Sequence, residues 1–132
     1  MLLTEFESKR LLKAVGIPVP AGFLLRDAAR LGRRRLAYPV AVKAQVSAGG
    51  RGKAGGIVRA EDPETLAKAA ASLLSRRIQG EVCDAVLIEP WLAIERELYL
   101  SVTVDGGADG YVVLYRPEGG IEVESGAPPL SY

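Results

Sequence analysis

The chain has 132 residues, 48% of them hydrophobic, with 17 Lys and Arg against 16 Asp and Glu and a formal net charge of +1. That length fits one compact domain with a core of its own, and the balanced charge excludes a global field drawing the protein to nucleic acid or anionic lipid. A single cysteine, Cys83, and no histidine exclude an internal disulfide, a Cys/His zinc site, and Ser-His or Cys-His catalysis built from this chain alone.

No apolar run reaches the ~20 residues of a membrane span, so a soluble, unprocessed, cytoplasmic protein is expected. Thr4 followed by Glu7 is a capping-box signature, and Phe6, Leu11, Leu12 and Val15 predict one apolar helix face over 4–15, stopped by Gly16. Ile17-Pro18-Val19-Pro20 forbids continuation, and Gly22 to Leu25 reads as a short strand. Asp27 to Leu36 reads as a short helix with Arg33-Arg34-Arg35 as a solvated run.

Tyr38 to Val46 is a β-rich run in which Val40, Val42, Ala44 and Val46 share one face, while Lys43 and Gln45 point the other way. Ser47 to Gly56 contains five glycines and predicts an irregular loop, followed by a strand at Ile57-Val58-Arg59. Asp62 as N-cap and Pro63 at the first helical position open a helix over 63–77, with Leu66, Ala69, Ala70, Leu73, Leu74 and Arg77 along its stripe. Val82 to Trp91, Glu95 to Asp105 and Gly110 to Arg116 read as strands, the last two joined by a glycine-rich hairpin turn. Ile121 to Glu124 can add another, and Gly126-Ala127-Pro128-Pro129 is expected to end regular structure. The order of elements implies an α+β (mixed α/β) fold with a partly antiparallel sheet and flanking helices.

Gly50-Arg51-Gly52-Lys53-Ala54-Gly55 satisfies G-x-G-x-x-G, a pattern too common to decide anything without its context. A dinucleotide fingerprint needs a helix directly after the glycines, but a strand is predicted there. A Walker A loop needs glycine and hydroxyl positions that are Ser47 and Ala54 here. In protein kinases the glycine loop precedes the strand lysine; here Lys43 comes first. A glycine-rich hairpin over nucleotide phosphates remains, with Lys43, Arg51 and Lys53 as cations, beside the alternative of a plain connecting loop.

Lys43 to Gly56 resembles the phosphate loop of succinyl-CoA synthetase (succinate-CoA ligase) β subunits and of the related malate-CoA ligases. Leu3-Thr4-Glu5-Phe6 with Lys9, Gly16 to Pro20, Leu87-Ile88-Glu89, Arg96 to Leu100, Val104-Asp105 and Glu118 to Glu122 continue the likeness in order. The resemblance implies the N-terminal part of an ATP-grasp fold over 1–132, with the rest of that domain and the CoA-ligase domain absent. It implies that Lys43 and Gly50-Arg51-Gly52 contact ATP phosphates and that Glu89 opens the segment linking the two lobes around adenine. Leu92 then offers backbone groups to the base, and Glu97 accepts from ribose hydroxyls. For Glu89 and Glu97 the residues alone also allow two exposed strand carboxylates.

By the same resemblance, the magnesium ligands lie outside this chain, and no residue here is assigned as catalytic or metal-binding. An α subunit carrying the phospho-histidine and the CoA site is the implied partner. Pro20 resembles the ATP-using rather than the GTP-using forms. Ser47 departs from the family's usual histidine, and Arg116-Pro117 from its small hydroxyl residues. The implied function is the ATP-binding portion of an ADP-forming acyl-CoA ligase, a chain not expected to turn over alone. The alternative is a truncated, non-catalytic paralogue that serves as an interaction module.

Overall fold

A computed structural model describes residues 2–32, 34–47, 49–107, 110–120 and 130–131. Two compact units divide it, Met1–Leu92 and Ala93–Tyr132.

In the first unit, helix α1 spans Glu5–Ala14 and begins as its sequence predicts: Thr4 and Glu7 form a reciprocal capping box. It ends in a Schellman arrangement, in which the Ile17 and Gly16 N–H groups donate to the Leu12 and Lys13 carbonyls. Strand β1 (Phe23–Leu25) precedes a single 3-10 turn at Ala28–Leu31, shorter than the predicted helix because Gly32, at φ +61°, cannot extend it. Arg33 lies outside the described residues, so the three-arginine run is described only in part.

Strands β2 (Val40–Ala44) and β3 (Ile57–Ala60) flank the glycine loop, and helix α2 (Pro63–Leu73) follows. The Asp62 cap and Pro63 start α2 where expected, but it stops before 77. Leu74 leaves helical ψ and Ser75 takes φ +73°, which frees Arg77–Ile78 to form β4 and pair with β5 (Glu81–Val82). Residue 77 is therefore strand, not helix stripe. The predicted strand from Val82 to Trp91 is broken at residues 83–85, and β6 occupies Val86–Pro90.

The main sheet runs β1-β6-β2-β3 with every neighbouring pair antiparallel. The predicted side of β2, Val40, Val42 and Ala44, continues with Val46 into the core, where it meets Ile88 of β6 and Leu66, Ala70 and Leu73 of α2. The other face of β2 and β6 is covered as well, with α1 bonded across it to Gln45 and Glu89: Ala41 and Leu87 are buried there. Helix α1 turns Phe6, Lys9, Arg10 and Lys13 towards the cavity bounded by Leu87 and Glu89 of β6. The expected apolar face of α1 is consequently not a core face: Leu11, Leu12 and Val15 are exposed, and no residue of the helix is fully buried.

The second unit is an antiparallel hairpin of β7 (Tyr99–Asp105) and β8 (Gly110–Arg116), with β9 (Leu130–Ser131) added to β8. Strand structure begins at Tyr99 rather than Glu95, and it resumes at β9 beyond the prolines expected to end it. The proposed strand at 121–124 and the Gly126 to Pro129 segment lie outside the described residues. No described helix is long and apolar enough to cross a membrane.

Candidate functional site

The alternation of β2 sends Lys43 and Gln45 to the face opposite the core, as their positions predict. Antiparallel register places Ala41 opposite Glu89 and Lys43 opposite Leu87. Lys43 and Glu89 are thus diagonal neighbours on one face, within reach for long side chains. The Lys43 ammonium lies 2.6 Å from Glu89 Oε1, and the Glu89 side chain is only 3% exposed. An exposed strand carboxylate is therefore the wrong description of Glu89.

Helix α1 completes the cluster. Its cap starts the helix so that Glu5 and Lys9, one turn apart, share a face, and they pair at 2.8 Å. Lys9 Nζ also donates to both oxygens of Glu89, at 2.8 and 2.6 Å. Glu5 Oε1 accepts from Lys43 Nζ at 2.9 Å, and Glu5 Oε2 from Arg51 Nη2 at 3.0 Å. Gln45 anchors the same helix end: its Oε1 accepts from the Phe6 N–H, one of the donors a helix start leaves unpaired, while its Nε2 donates to the Lys43 and Ala44 carbonyls.

Three cations meet two carboxylates here, leaving one positive charge in excess. Burial works to raise the Glu5 carboxyl, but hydrogen bonds from Lys9 and Lys43 overcome it and hold the group at about 2, against an ordinary 4.5. Burial likewise works to lower the Lys43 ammonium, and its hydrogen bonds to Glu89 and Glu5 reverse that and raise it. Both groups are held charged.

The glycine segment is an ordered turn. Ala54 N–H donates to Gly50 O and Gly56 N–H to Arg51 O, with Gly50 at φ +69° and Gly55 at φ +68°, values that side chains with a Cβ rarely adopt. Gly52 lies within that turn, and the Arg51 side chain folds back so that Nη1 donates to Ala44 O while Nη2 reaches Glu5. Lys53 is exposed. Ser47 is spent on anchoring the loop, donating through N–H and Oγ to Glu81 Oε2 at 3.0 and 2.9 Å. Arg76 holds the far side through the Ala54 and Gly55 carbonyls.

Beside the cluster, a cavity of about 580 Å³ opens between α1, the Val19 to Gly22 segment and β6, with Lys9, Pro20 and Glu89 in its wall. Leu92, just past β6, is exposed. Glu97 belongs to the second unit and is exposed there. A Cβ on Gly120 would come within 2.8 Å of Glu97 Oε2, and the Gly119 N–H donates to the Glu97 carbonyl.

The structure thus gathers Lys43, Arg51 and Glu89 into one cluster with the Gly50 to Gly52 turn beside it and leaves Leu92 outside that cluster, while Glu97 belongs to the second unit. Sequence reasoning had Glu5, Lys9 and Gln45 only within matched segments of a likeness and missed all three as members. The available signal was the i,i+4 spacing of Glu5 and Lys9 just after a strong helix cap.

The fold fits one class of protein, and the chain belongs to it: the ATP-grasp domain family, matched over residues 2–128. It is 40% identical over 124 residues to the beta subunit of succinate–CoA ligase (ADP-forming) from Methanocaldococcus jannaschii, covering 94% of this chain and 34% of that protein. The corresponding subunit from Halobacterium salinarum is 42% identical over 127 residues, with 95% and 33% covered. The chain therefore spans about a third of the length of these relatives.

Among solved structures, a dinucleotide-forming acetyl-coenzyme A synthetase from Ca. Korarchaeum cryptofilum shares the fold with a TM-score of 0.74 at 22% identity, over 89% of this chain and 54% of that one. A Pyrococcus horikoshii protein gives a TM-score of 0.68 at 26% identity, over 95% and 55%. The expected ATP-grasp architecture is present, with every strand pairing among the described residues antiparallel rather than only part of them.

Proposed function

We propose that this chain is the ATP-binding portion of an ADP-forming acyl-CoA ligase β subunit of the succinate–CoA ligase type. The complete reaction converts a carboxylic acid, CoA and ATP to acyl-CoA, ADP and phosphate, with an α subunit supplying the phospho-histidine and the CoA site. The observation that carries this reading is the convergence of Lys43 and Arg51, from a strand and a glycine turn, on one carboxylate beside a cavity.

In this reading Lys43, Arg51 and the backbone N–H groups of Gly50 and Gly52 receive the phosphates, because guanidinium, ammonium and oriented amides are the donors such oxygens take. The cavity lies within the ~300–1,000 Å³ usual for small-molecule sites and receives the base, with Pro20 in its wall. Leu92 supplies backbone groups to the base, and Glu97 accepts from the ribose hydroxyls. Glu89 contributes as the buried counter-ion of Lys43 and Lys9.

Magnesium does not fit this cluster. Both carboxylates are already bound by lysine or arginine, and a dication would have to displace those cations. In this reading its ligands lie outside this chain.

Titration calorimetry of the chain with ATP tests the proposal. Lys43→Ala and Arg51→Ala should each weaken binding roughly 10- to 100-fold, the loss expected when a hydrogen bond to a charged group is removed. Unchanged affinity in both variants would remove the proposed site. A second reading, a non-catalytic interaction module, draws on the exposed apolar Leu100, Val102 and Val104 of β7. Co-purification of a protein partner together with no ATP-dependent rise in melting temperature would favour it.

A further inference from the structure

Glu5 lies on α1, far in sequence from the strand and the loop that supply the proposed phosphate contacts, yet it touches both. One oxygen takes Lys43 Nζ at 2.9 Å and Lys9 Nζ at 2.8 Å; the other takes Arg51 Nη2 at 3.0 Å. Its side chain is 17% exposed, so these contacts are partly shielded from water.

We propose that Glu5 is a positioning residue for phosphate binding, clamping the strand lysine and the loop arginine into one preformed cationic seat; this rests on the ATP-binding reading above. Lys43 and Arg51 are cations that repel each other; Glu89 also holds the first and the Ala44 carbonyl the second, but Glu5 is the side chain that pairs with both. A carboxylate shared between them fixes their separation before a phosphate arrives, so less ordering remains to be done on binding. The clamp does not saturate them. Two ammonium protons of Lys43 go to Glu5 and Glu89, and Arg51 uses one Nη1 and one Nη2 contact among its five donors. The site stays net positive with Glu5 in place, so the carboxylate organises the seat without cancelling its charge.

The helix also carries its own control. Glu7 closes the capping box of α1 through Thr4 and has no hydrogen bond or ion pair with Lys43 or Arg51, so Glu7→Ala, which removes the capping oxygen, loosens the helix start without touching the clamp. The experiment compares wild type, Glu5→Gln, Glu5→Asp and Glu7→Ala with two probes, ATP and inorganic tripolyphosphate, by calorimetry. The Lys43 side chain is followed in parallel by NMR titration of labelled lysine.

The expected result is about tenfold weaker binding of both probes by Glu5→Gln, corresponding to ~1.4 kcal/mol. Glu5→Asp should recover part of it, Glu7→Ala should stay near wild type, and the Lys43 ammonium should titrate at lower pH in Glu5→Gln. Equal or tighter binding by Glu5→Gln would overturn the proposal and make Glu5 a competitor of phosphate. Equal weakening in Glu7→Ala would overturn it too, reducing Glu5 to a helix anchor. An unmoved Lys43 titration would show that no clamp exists. A wild type that binds neither probe would instead defeat the ATP-binding reading and, with it, the phosphate role of Glu5; the Lys43 titration would still report separately whether the clamp exists.

Discussion

Glu5 and Lys43 make the site a pH-dependent source of stability, with opposite windows. The Glu5 carboxyl is held at about 2, against 4.5 ordinarily, so its contribution is complete above about pH 5 and is lost as pH falls towards 2. Lys43 is raised above 10.5, so its contribution is complete below that value and is lost as pH rises through the higher folded value. Thermal melts of Glu5→Gln should therefore show a shallower loss of melting temperature between pH 5 and 2 than wild type. An unchanged acid slope would mean that Glu5 is not charged and paired in the folded protein.

At the same scale, Lys43 was legible in the sequence because it follows a period-two strand and precedes a glycine run. Glu89 was legible only through likeness, since its burial depends on Lys9 of α1 and Lys43 of β2 closing over it. Nothing in a strand sequence ending Ile88-Glu89-Pro90 says which neighbour will lie beside it.

Among the elements, α2 and α1 are held in contrasting ways. Helix α2 inserts Leu66, Ala70 and Leu73 into the core, so Leu66→Ala should cost ~2–5 kcal/mol in denaturant unfolding, the range for large-to-small changes in a packed interior. Helix α1 buries no residue fully and is fastened by polar contacts, the Gln45 bond to Phe6 N–H among them. Gln45→Leu should leave that donor unpaired at a cost of ~1–3 kcal/mol. Hydrogen exchange should then quicken at the start of α1 while α2 amides keep their protection. Uniform acceleration in both helices would show that α1 is not a separately fastened element.

Both helix starts were legible because caps are local: Thr4 with Glu7 and Asp62 with Pro63 decide them within four residues. The end of α2 was not, because Ser75 and the small β4-β5 hairpin are stabilised by contacts such as Ser75 N–H to Cys83 O and Cys83 N–H to Arg76 O. These bonds bring 75 and 76 to 83, a pairing that a helical stripe running to Arg77 conceals.

For the molecule as a whole, the exposed apolar residues of β7 stand out. Leu100, Val102 and Val104 are 67, 62 and 70% exposed, and the alternation of a strand puts them on one face. Replacing all three with threonine keeps β propensity and should reduce self-association in sedimentation velocity with little change in melting temperature. A large fall in melting temperature would instead show that this face is packed in the folded chain.

The amino-acid sequence by itself determined the helix starts, the two strands around the glycine turn, the β7-β8 pair and the likeness to an ATP-using ligase, because each depends on neighbours a few residues apart. Only the tertiary structure decided that Lys9 meets Glu89, 80 residues away, and that Glu5 meets Lys43 and Arg51, 38 and 46 residues away. Sheet order and the seating of α1 bring those charges together, and both arise from packing between distant segments, for which a linear pattern carries no signal.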